Sequence, residues 1–288
     1  MKNLPNYDSP AAINVFMNEQ GLAAQKKFGQ NFLVKRYARE KLIDALALPQ
    51  EAEVWEIGPG LGAMTAELLG RGARVKAFEI DHGFCSCLTE LFSQSKNFSL
   101  VKGNVLETWK GEGRAEFLLG NLPYNIAARI IGDFITNGVF FKRMALTVQR
   151  EVARRMAAKP ASPDYSSFSV LCSSVYNIKS IAVLKRNCFY PVPNVDSEGL
   201  CLELKNLSCR EMYSPAFYRV VRALFASRRK TIKNNLLALV KAQRGDLRAE
   251  TLCAAALQTT GIHPNERAEN LSCEDFLRLT NAIRDFVD

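Results

Sequence analysis

The sequence predicts an α/β protein with a doubly wound, mostly parallel, Rossmann-like sheet and a small all-α C-terminal domain. Short apolar runs alternate with helical segments from residue 52 to about residue 157, and only helical patterns follow residue 208. Because parallel strands need long crossover connections, this alternation indicates a parallel sheet with helices between its strands.

The individual elements follow from these patterns. Residues 10–50 have helical character, interrupted at "KKFGQNFL". The predicted strands are 52–58, 73–80, 97–103, 115–121 and 143–149, and the predicted helices are 63–72, 82–94, 125–137 and an arginine-rich helix after 149.

The pattern changes after about residue 165. Two β-like runs, "VYNIKSIAVLKRNCF" and "SEGLCLELK", flank "YPVPNVD" and predict an antiparallel element at the edge of the sheet. Helices are then predicted over 214–243, 247–258 and 272–286. We therefore expect a first domain over 1–207 and a helical domain over 208–288.

Composition narrows the possible partners. The chain has 288 residues and a formal net charge of +9, and this basic balance favours polyanionic partners, although an ordinary basic enzyme would also fit it. No apolar run approaches the ~20 residues of a membrane span, and "MKNLPNYDSP" has no apolar signal core. We therefore expect a cytoplasmic protein with no membrane partner.

The eight cysteines and two histidines show no metal-ligand spacing, so we expect no metal site and reduced thiols.

A glycine-rich turn follows the first predicted strand. Gly58, Gly60 and Gly62 form G-x-G-x-G, which lets the backbone approach a ligand closely, and Glu79 ends the next strand. A carboxylate there can accept both ribose hydroxyls of a nucleoside, so S-adenosylmethionine and NAD are the first candidates. The spacing differs from the dinucleotide motif and favours S-adenosylmethionine. The alternative is a structural turn with a solvated Glu79.

Asn104 follows the third predicted strand. The next strand end in this architecture reaches the adenine of the cofactor, where the side-chain oxygen of Asn104 could accept from the amino group. The alternative is an asparagine that serves only a turn.

The fourth strand of the series ends in Asn121-Leu122-Pro123-Tyr124. This segment suits an exocyclic adenine amine, a poor nucleophile whose two hydrogens need two acceptors. The Asn121 carboxamide oxygen and the Leu122 carbonyl, aimed by the following proline, would be those acceptors, and Tyr124 would stack on the base. The alternative is a turn that merely ends the strand.

Basic side chains concentrate in two places. Residues 214–244 contain eight basic and no acidic residues, and if the helix over 214–243 is continuous, Arg222, Arg229 and Lys233 share one face. Such a one-sign surface suits RNA phosphates, although it could be simply solvated. The candidate RNA contacts are Arg150, Arg154, Arg222, Arg228, Arg229, Lys230 and Lys233.

The chain resembles the ribosomal RNA adenine dimethyltransferases, which methylate two adjacent adenosines near the 3′ end of small-subunit (16S) rRNA. The matching segments are "QKKFGQNFL", "EIGPGLGAMT", "GNLPYNIA", "VQREVARRM", "FYPVPNVDS", "FASRRKTIKNNL" and "NERAENLSCEDFLRL". The resemblance implies 16S rRNA in a small ribosomal subunit or its precursor as the partner, and we expect a monomer.

The resemblance also implies roles for individual residues. Tyr124 and Phe189 would sandwich a flipped adenine, beside Asn121 and the Leu122 carbonyl. Asn104 departs from the family, which usually has aspartate there, so cofactor affinity could differ. The implied cofactor site consists of Asn31, Leu33, Gly58, Glu79, Asn104 and Asn121, to which the glycine turn adds Gly60.

Three alternatives stay open. A large-subunit rRNA adenine methylase of the macrolide-resistance type would share the glycine turn and the N-x-P-Y element. A DNA adenine methyltransferase would more typically have proline at the position of Leu122. A ribosome-assembly or transcription factor could use the scaffold without catalysis, although the intact Asn121 and Tyr124 disfavour this.

Overall fold

The computed structural model describes residues 4–24, 29–123, 126–206, 214–244 and 248–287. The chain divides into two compact units. The first consists of Met1–Asp133, Val139–Ala153 and Asn177–Leu204, and the second of Phe134–Gly138, Arg154–Tyr176 and Lys205–Asp288. The second unit therefore includes two segments from the middle of the chain besides the C-terminal helices.

The main sheet has seven strands in the order β4-β3-β2-β5-β6-β9-β7. The strands from β4 to β6 pair in parallel, and β9 pairs antiparallel with β6. The predicted fold class is confirmed. The strands of the described residues are β1 (Phe32–Leu33), β2 (Glu53–Ile57), β3 (Arg74–Glu79), β4 (Phe98–Lys102), β5 (Phe117–Asn121), β6 (Arg143–Gln149), β7 (Tyr176–Leu184), β8 (Phe189–Tyr190) and β9 (Ser197–Leu204).

The central strands are buried on both faces, which explains their continuous apolar runs. Val54, Trp55, Leu118 and Leu119 are each at most 2% exposed. In the part of the chain that the structure describes, the α-helices are α1 (Pro10–Glu19), α2 (Arg36–Ala45), α3 (Ala63–Gly70), α4 (His82–Leu91), α5 (Val105–Thr108), α6 (Ala127–Thr136), α7 (Arg150–Ala157), α8 (Ser167–Val175), α9 (Pro215–Leu224), α10 (Ile232–Arg244), α11 (Ala249–Thr260) and α12 (Cys273–Val287).

Two short strands form a second sheet. β1 pairs antiparallel with β8, so that Phe32 lies opposite Tyr190 and Leu33 opposite Phe189. The interruption predicted in the N-terminal helical region therefore contains a strand, and its partner comes from the "YPVPNVD" region. This pairing brings two distant motifs of the first unit together.

The prediction of a single helix over 214–243 is wrong. α9 ends at Leu224 and α10 begins at Ile232, because the buried side-chain amide of Asn235 donates to the carbonyls of Leu224 (2.9 Å) and Ser227 (3.1 Å). Carbonyls at a helix end need such partners, and here a side chain supplies them. Arg222, Arg229 and Lys233 therefore do not share a helical face.

The second unit also contains a helix that was not predicted. α8 immediately precedes β7, and its N-terminus has a capping box in which Ser166 and Ser169 satisfy one another's backbone groups. The two predicted β-like runs are confirmed as β7 and β9, whereas residues 167–174, which form most of α8, carried no prediction.

The described residues contain no helix that is long and apolar enough to span a membrane. Within the same residues, no group of three or more histidine, cysteine and acidic side chains is placed to hold a metal ion. Seven of the eight cysteines lie in the described part of the chain, and all seven are free thiols.

Candidate active site

A crevice opens at the carboxyl ends of β2, β3 and β5. Open α/β sheets bind their ligands at this edge. Its lining is largely apolar, with a few polar side chains, among them Gln30, Glu79, Asn104 and Asn121. The glycine turn after β2 and the residues around β1 also contribute to it.

The glycine turn requires glycine for its backbone. Gly58 and Gly60 have φ angles of +68° and +58°, which side-chain-bearing residues rarely adopt. A Cβ at Gly60 would also lie 3.0 Å from the ring of Phe32. The turn therefore brings bare backbone to the crevice wall, as a closely bound ligand requires.

Glu79 ends β3 with its carboxylate in the crevice wall. Its Oε2 accepts from the Gly60 N–H (3.2 Å) and its Oε1 accepts from the Asp81 N–H (2.9 Å). Burial raises the pKa of Glu79 to about 7. Because each carboxylate oxygen has a further lone pair, both remain able to accept a hydroxyl. The predicted solvated alternative is wrong, since Glu79 is 4% exposed.

Glu56 is a second buried acid, which sequence reasoning did not single out. Its Oε2 accepts from the Thr65 hydroxyl (2.6 Å), whereas its Oε1 has no hydrogen-bond partner within the described residues. Burial raises the pKa of Glu56 to about 7. The available signal was an acidic residue inside the apolar run of β2.

Asn121 is the last residue of β5 and is held by a residue of the β1 region. Its Nδ2 donates to the backbone carbonyl oxygen of Asn31 at 2.6 Å. The side chain of Asn31 in turn donates to the Gly29 carbonyl (3.0 Å). Because an amide can donate only through nitrogen, the Asn121 oxygen is left as the acceptor.

The other predicted catalytic residues are placed differently. Leu122 is buried, and its N–H donates to the Thr147 carbonyl (3.1 Å), which anchors it to β6. Tyr124 lies outside the described residues. Phe189 is 2% exposed and packs in a buried cluster with Leu33, rather than among the described residues that line the crevice.

Asn104 has a structural task in addition to lining the crevice. Its Oδ1 accepts from the Leu106 N–H (3.2 Å), so Asn104 caps the short helix α5, and its Nδ2 donates to Glu107 (3.1 Å). Asn104 therefore serves the turn, as the alternative predicts, and also lines the crevice. A carbonyl oxygen accepts two hydrogen bonds, so the cap leaves room for a second donor.

The seven predicted RNA contacts are all exposed, but two of them are paired internally. Arg228 donates to Glu269 (3.1 Å) and to the Pro163 carbonyl (3.3 Å), and Arg154 forms an ion pair with Asp164 (3.5 Å). Arg228 therefore stabilises the fold of the second unit.

Comparison with known proteins identifies the family. A family model described as ribosomal RNA adenine dimethylase matches residues 21–285. The chain belongs to this family. Two proteins named ribosomal RNA small subunit methyltransferase A, from Treponema denticola and Treponema pallidum (strain Nichols), are 42% and 43% identical to it over 285 residues. The alignments cover 97% of this chain and 96% and 98% of those proteins.

Solved structures of two other methyltransferases share the fold of this ribosomal RNA adenine dimethylase. A dimethyladenosine transferase from Plasmodium falciparum matches with a TM-score of 0.74 and 24% identity, over 87% of this chain and 96% of that one. The 23S rRNA methyltransferase ErmE matches with a TM-score of 0.62 and 23% identity, over 88% and 100%.

Membership of the family settles the class of reaction and the cofactor. The protein is a methyltransferase that acts on adenine in ribosomal RNA and uses S-adenosylmethionine. The crevice fits this cofactor, because it combines bare glycine backbone with a paired acceptor at Glu79 and apolar walls. Of the two cofactors that the sequence left open, the family therefore selects S-adenosylmethionine.

Proposed function

We propose that this protein dimethylates N6 of two adjacent adenosines near the 3′ end of 16S rRNA, within a small ribosomal subunit or its precursor. The observation that carries the proposal is the hydrogen bond from Asn121 to the carbonyl of Asn31, which orients an acceptor at the crevice. The names of the relatives from Treponema support the small subunit as the target.

The cofactor would be held by the crevice residues. Glu79 would accept the two ribose hydroxyls, and Gly58 and Gly60 would allow the backbone to approach. Asn104 would accept from the adenine amino group with the lone pair that its cap leaves. Asn31, Leu33 and Asn121 would complete the site. When bound, S-adenosylmethionine supplies an electrophilic methyl group on a sulfonium.

The target amine needs positioning more than it needs a base. Its lone pair is delocalised into the purine ring, so it becomes a nucleophile only when both N–H groups are held and the lone pair is aimed. The Asn121 oxygen and the Leu122 carbonyl are the two acceptors we assign to it. The proton is lost after attack, so no strong base is needed. Positioning of this kind contributes up to ~7–11 kcal/mol.

The target base must leave its stack to reach the crevice. Tyr124 and Phe189 are the aromatic residues we assign to it. Because Phe189 is 2% exposed, its ring has to rotate out of the buried cluster with Leu33 before a base can stack on it. We therefore expect base binding to open the region around β1 and β8.

RNA phosphates would be held by exposed basic side chains. In the helical domain, which we place over 208–288, Arg222, Arg229, Lys230 and Lys233 are exposed, and Arg150 is exposed at the start of α7. Arg154 and Arg228 would contribute less, because each is paired with a carboxylate. We expect the enzyme to be cytoplasmic and to act as a monomer.

The experiment compares RNA substrates. In vitro assembled small subunits, naked 16S rRNA and naked 23S rRNA are incubated with labelled S-adenosylmethionine, and the modified positions are mapped by mass spectrometry. We expect dimethyladenosine at two adjacent positions near the 3′ end of 16S rRNA. Methylation of 23S rRNA alone would establish the large-subunit alternative, and binding of small subunits without transfer would establish an assembly factor.

A further inference from the structure

Arg39 lies buried in the crevice wall and joins three separate segments of the first unit. Its Nε donates to Glu67 in α3 (3.0 Å), its Nη1 to the carbonyl of Leu33 (2.9 Å) and its Nη2 to Asp8 ahead of α1 (2.8 Å). The side chain of Arg39 is 4% exposed. Removing one partner of a buried charge is costly, so this arrangement ties the three segments firmly together.

Asp8 belongs to the N-terminal segment, residues 4–22, and this segment forms one wall of the crevice. Tyr7 and Ile13 are among the lining residues, and the Tyr7 hydroxyl donates to the carbonyl of Leu61 in the glycine turn at 2.9 Å. Burial raises the pKa of Tyr7, so its hydroxyl stays protonated as a donor. Ile13 and Leu61 also share a buried apolar cluster.

We propose that Arg39 is a positioning residue of the cofactor site, which acts by holding the N-terminal segment against the glycine turn through Asp8. The proposal rests on the assignment of the crevice to S-adenosylmethionine. With Asp8 released, Tyr7 and Ile13 are no longer fixed against the glycine turn, and the cofactor loses a preformed wall. A preformed site binds more tightly than one that must be ordered on binding.

Direct contact between Arg39 and the methionyl carboxylate of the cofactor is the competing role. Among the described lining residues, Arg39 and Glu79 are the charged side chains. The Arg39 guanidinium already holds the carboxylates of Asp8 and Glu67, so a third carboxylate would meet a surplus of negative charge. The charges therefore favour the positioning role.

The test measures cofactor binding and the mobility of the N-terminal segment separately. Calorimetry with S-adenosylmethionine is performed on the full-length protein and on Asp8→Asn, Arg39→Met and, as a test of the crevice itself, Glu79→Ala. We expect dissociation constants raised roughly threefold to tenfold for Asp8→Asn and about tenfold or more for Arg39→Met, as for lost charge-assisted hydrogen bonds. Amide hydrogen exchange without cofactor should become faster in residues 9–20 of both variants.

The matched control is Arg36→Met on the same helix. Arg36 pairs with Glu40, but both side chains are well exposed, at 71% and 43%, so this variant should behave as wild type in both measurements. Steady-state kinetics of Asp8→Asn and Arg39→Met should show a raised KM for S-adenosylmethionine. For both variants, kcat at saturating cofactor and the KM for RNA should stay close to wild type. Asp8 is 48% exposed, so Asp8→Asn tests the proposal even if Arg39→Met fails to fold.

Three outcomes would overturn the proposal in different ways. If Arg39→Met binds weakly while Asp8→Asn binds as wild type, Arg39 does not act through Asp8, and either contact with the cofactor or its bond to the Leu33 carbonyl accounts for the loss. If both variants bind as wild type while Glu79→Ala binds weakly, the crevice is the cofactor site and Arg39 does not position its wall. If Glu79→Ala also binds as wild type, the assignment of the crevice is wrong and the role of Arg39 falls with it.

Discussion

The side-chain nitrogen of Asn121 donates to the backbone carbonyl of Asn31 at 2.6 Å, across ninety residues of the chain. The Asn31 carbonyl oxygen can only accept a hydrogen bond, so it must face the side-chain nitrogen of Asn121. The side-chain oxygen of Asn121 is therefore the end of the amide that faces the reaction. Asn31 therefore affects the chemistry through its backbone, and the short strand β1 that follows it is held in place by β8.

The first prediction concerns the orientation of Asn121. Asn121→Ala removes the acceptor, and Asn121→Asp places a carboxylate oxygen against the Asn31 carbonyl, so we expect both variants to lose most methyl transfer. RNA affinity should be retained, because positioning acts on the transition state whereas backbone contacts act on the bound ground state as well. Single-turnover methylation of small subunits, paired with filter binding, measures the two separately.

Asn97→Ala is the control for this prediction. Asn97 is exposed just before β4, at the opposite end of the sheet from the crevice, so its substitution should leave transfer unchanged. Transfer by Asn121→Ala at near wild-type rate would show that the amine is not held by this side chain.

The second prediction concerns pH. Burial raises the pKa of Glu79 to about 7, and the carboxylate must be ionised to accept two ribose hydroxyls while it holds the Gly60 and Asp81 N–H groups. Affinity for S-adenosylmethionine should therefore increase as pH rises through about 7 and level off above it. Calorimetry between pH 5.5 and 8.5 in buffers of equal ionic strength measures this dependence.

The same titration acts on stability with the opposite sign. The pKa of Glu79 is higher in the folded protein than its ordinary value of 4.5, so its contribution to the free energy of unfolding is lost as pH rises from about 4.5 to 7. Glu79→Gln should flatten the pH dependence of cofactor binding. Above pH 7 the variant should bind S-adenosylmethionine more weakly than wild type by roughly 1–3 kcal/mol. Glu90→Gln, at an exposed site on α4, should keep the wild-type profile.

The third prediction separates the two tasks of Asn104. Asn104→Asp keeps the cap of α5 and introduces the aspartate that the sequence resemblance leads us to expect there, so it should bind S-adenosylmethionine at least as well as wild type. Asn104→Ser keeps a cap but is too short to reach the adenine, and Asn104→Leu loses both. If Asn104→Ser binds like wild type and Asn104→Leu binds weakly, only the cap matters. If all three variants bind equally, the side chain of Asn104 does not contribute to cofactor binding.

The centre of the sheet could be predicted because the strands β2, β5 and β6 are each a buried, largely apolar run. β2 and β5 are covered on both faces, so their sequences are nearly continuous apolar runs. Such runs can be recognised as strands without knowledge of the elements that pack against them. Glu79 and Asn121 could be predicted for a related reason, since polar residues at the ends of such strands meet at one edge.

The contacts that orient the site could not be predicted in the same way. Asn31 acts through its backbone carbonyl, which every residue type has and which therefore gives no signal in the sequence. Arg39 is one of several charged residues on a predicted helix, and only its three partners in the structure distinguish it. The break between α9 and α10 was missed because residues 225–231 contain neither glycine nor proline. The side-chain amide of Asn235 in α10 stabilises that break by donating to the carbonyl of Leu224 at the end of α9.

The last prediction distinguishes RNA contacts from internal ion pairs. Arg222, Arg229, Lys233 and the neighbouring Arg228 are all exposed, but Arg228 is also held by Glu269 and the Pro163 carbonyl. Replacing Arg222, Arg229 and Lys233 with glutamine should weaken RNA binding and flatten its salt dependence, because each lost phosphate contact removes ~0.7–0.9 from the log–log slope. Transfer at saturating RNA should be affected much less.

Arg228→Gln is the matched control, since it removes the same charge from the adjacent position. We expect it to lower the melting temperature of the protein and to change the salt slope less than the triple variant does, because Arg228 stabilises the fold through Glu269. Filter-binding titrations between 50 and 300 mM salt, with thermal melts of the same proteins, provide both readouts. A wild-type slope in the triple variant would mean that these side chains contact something other than RNA phosphates.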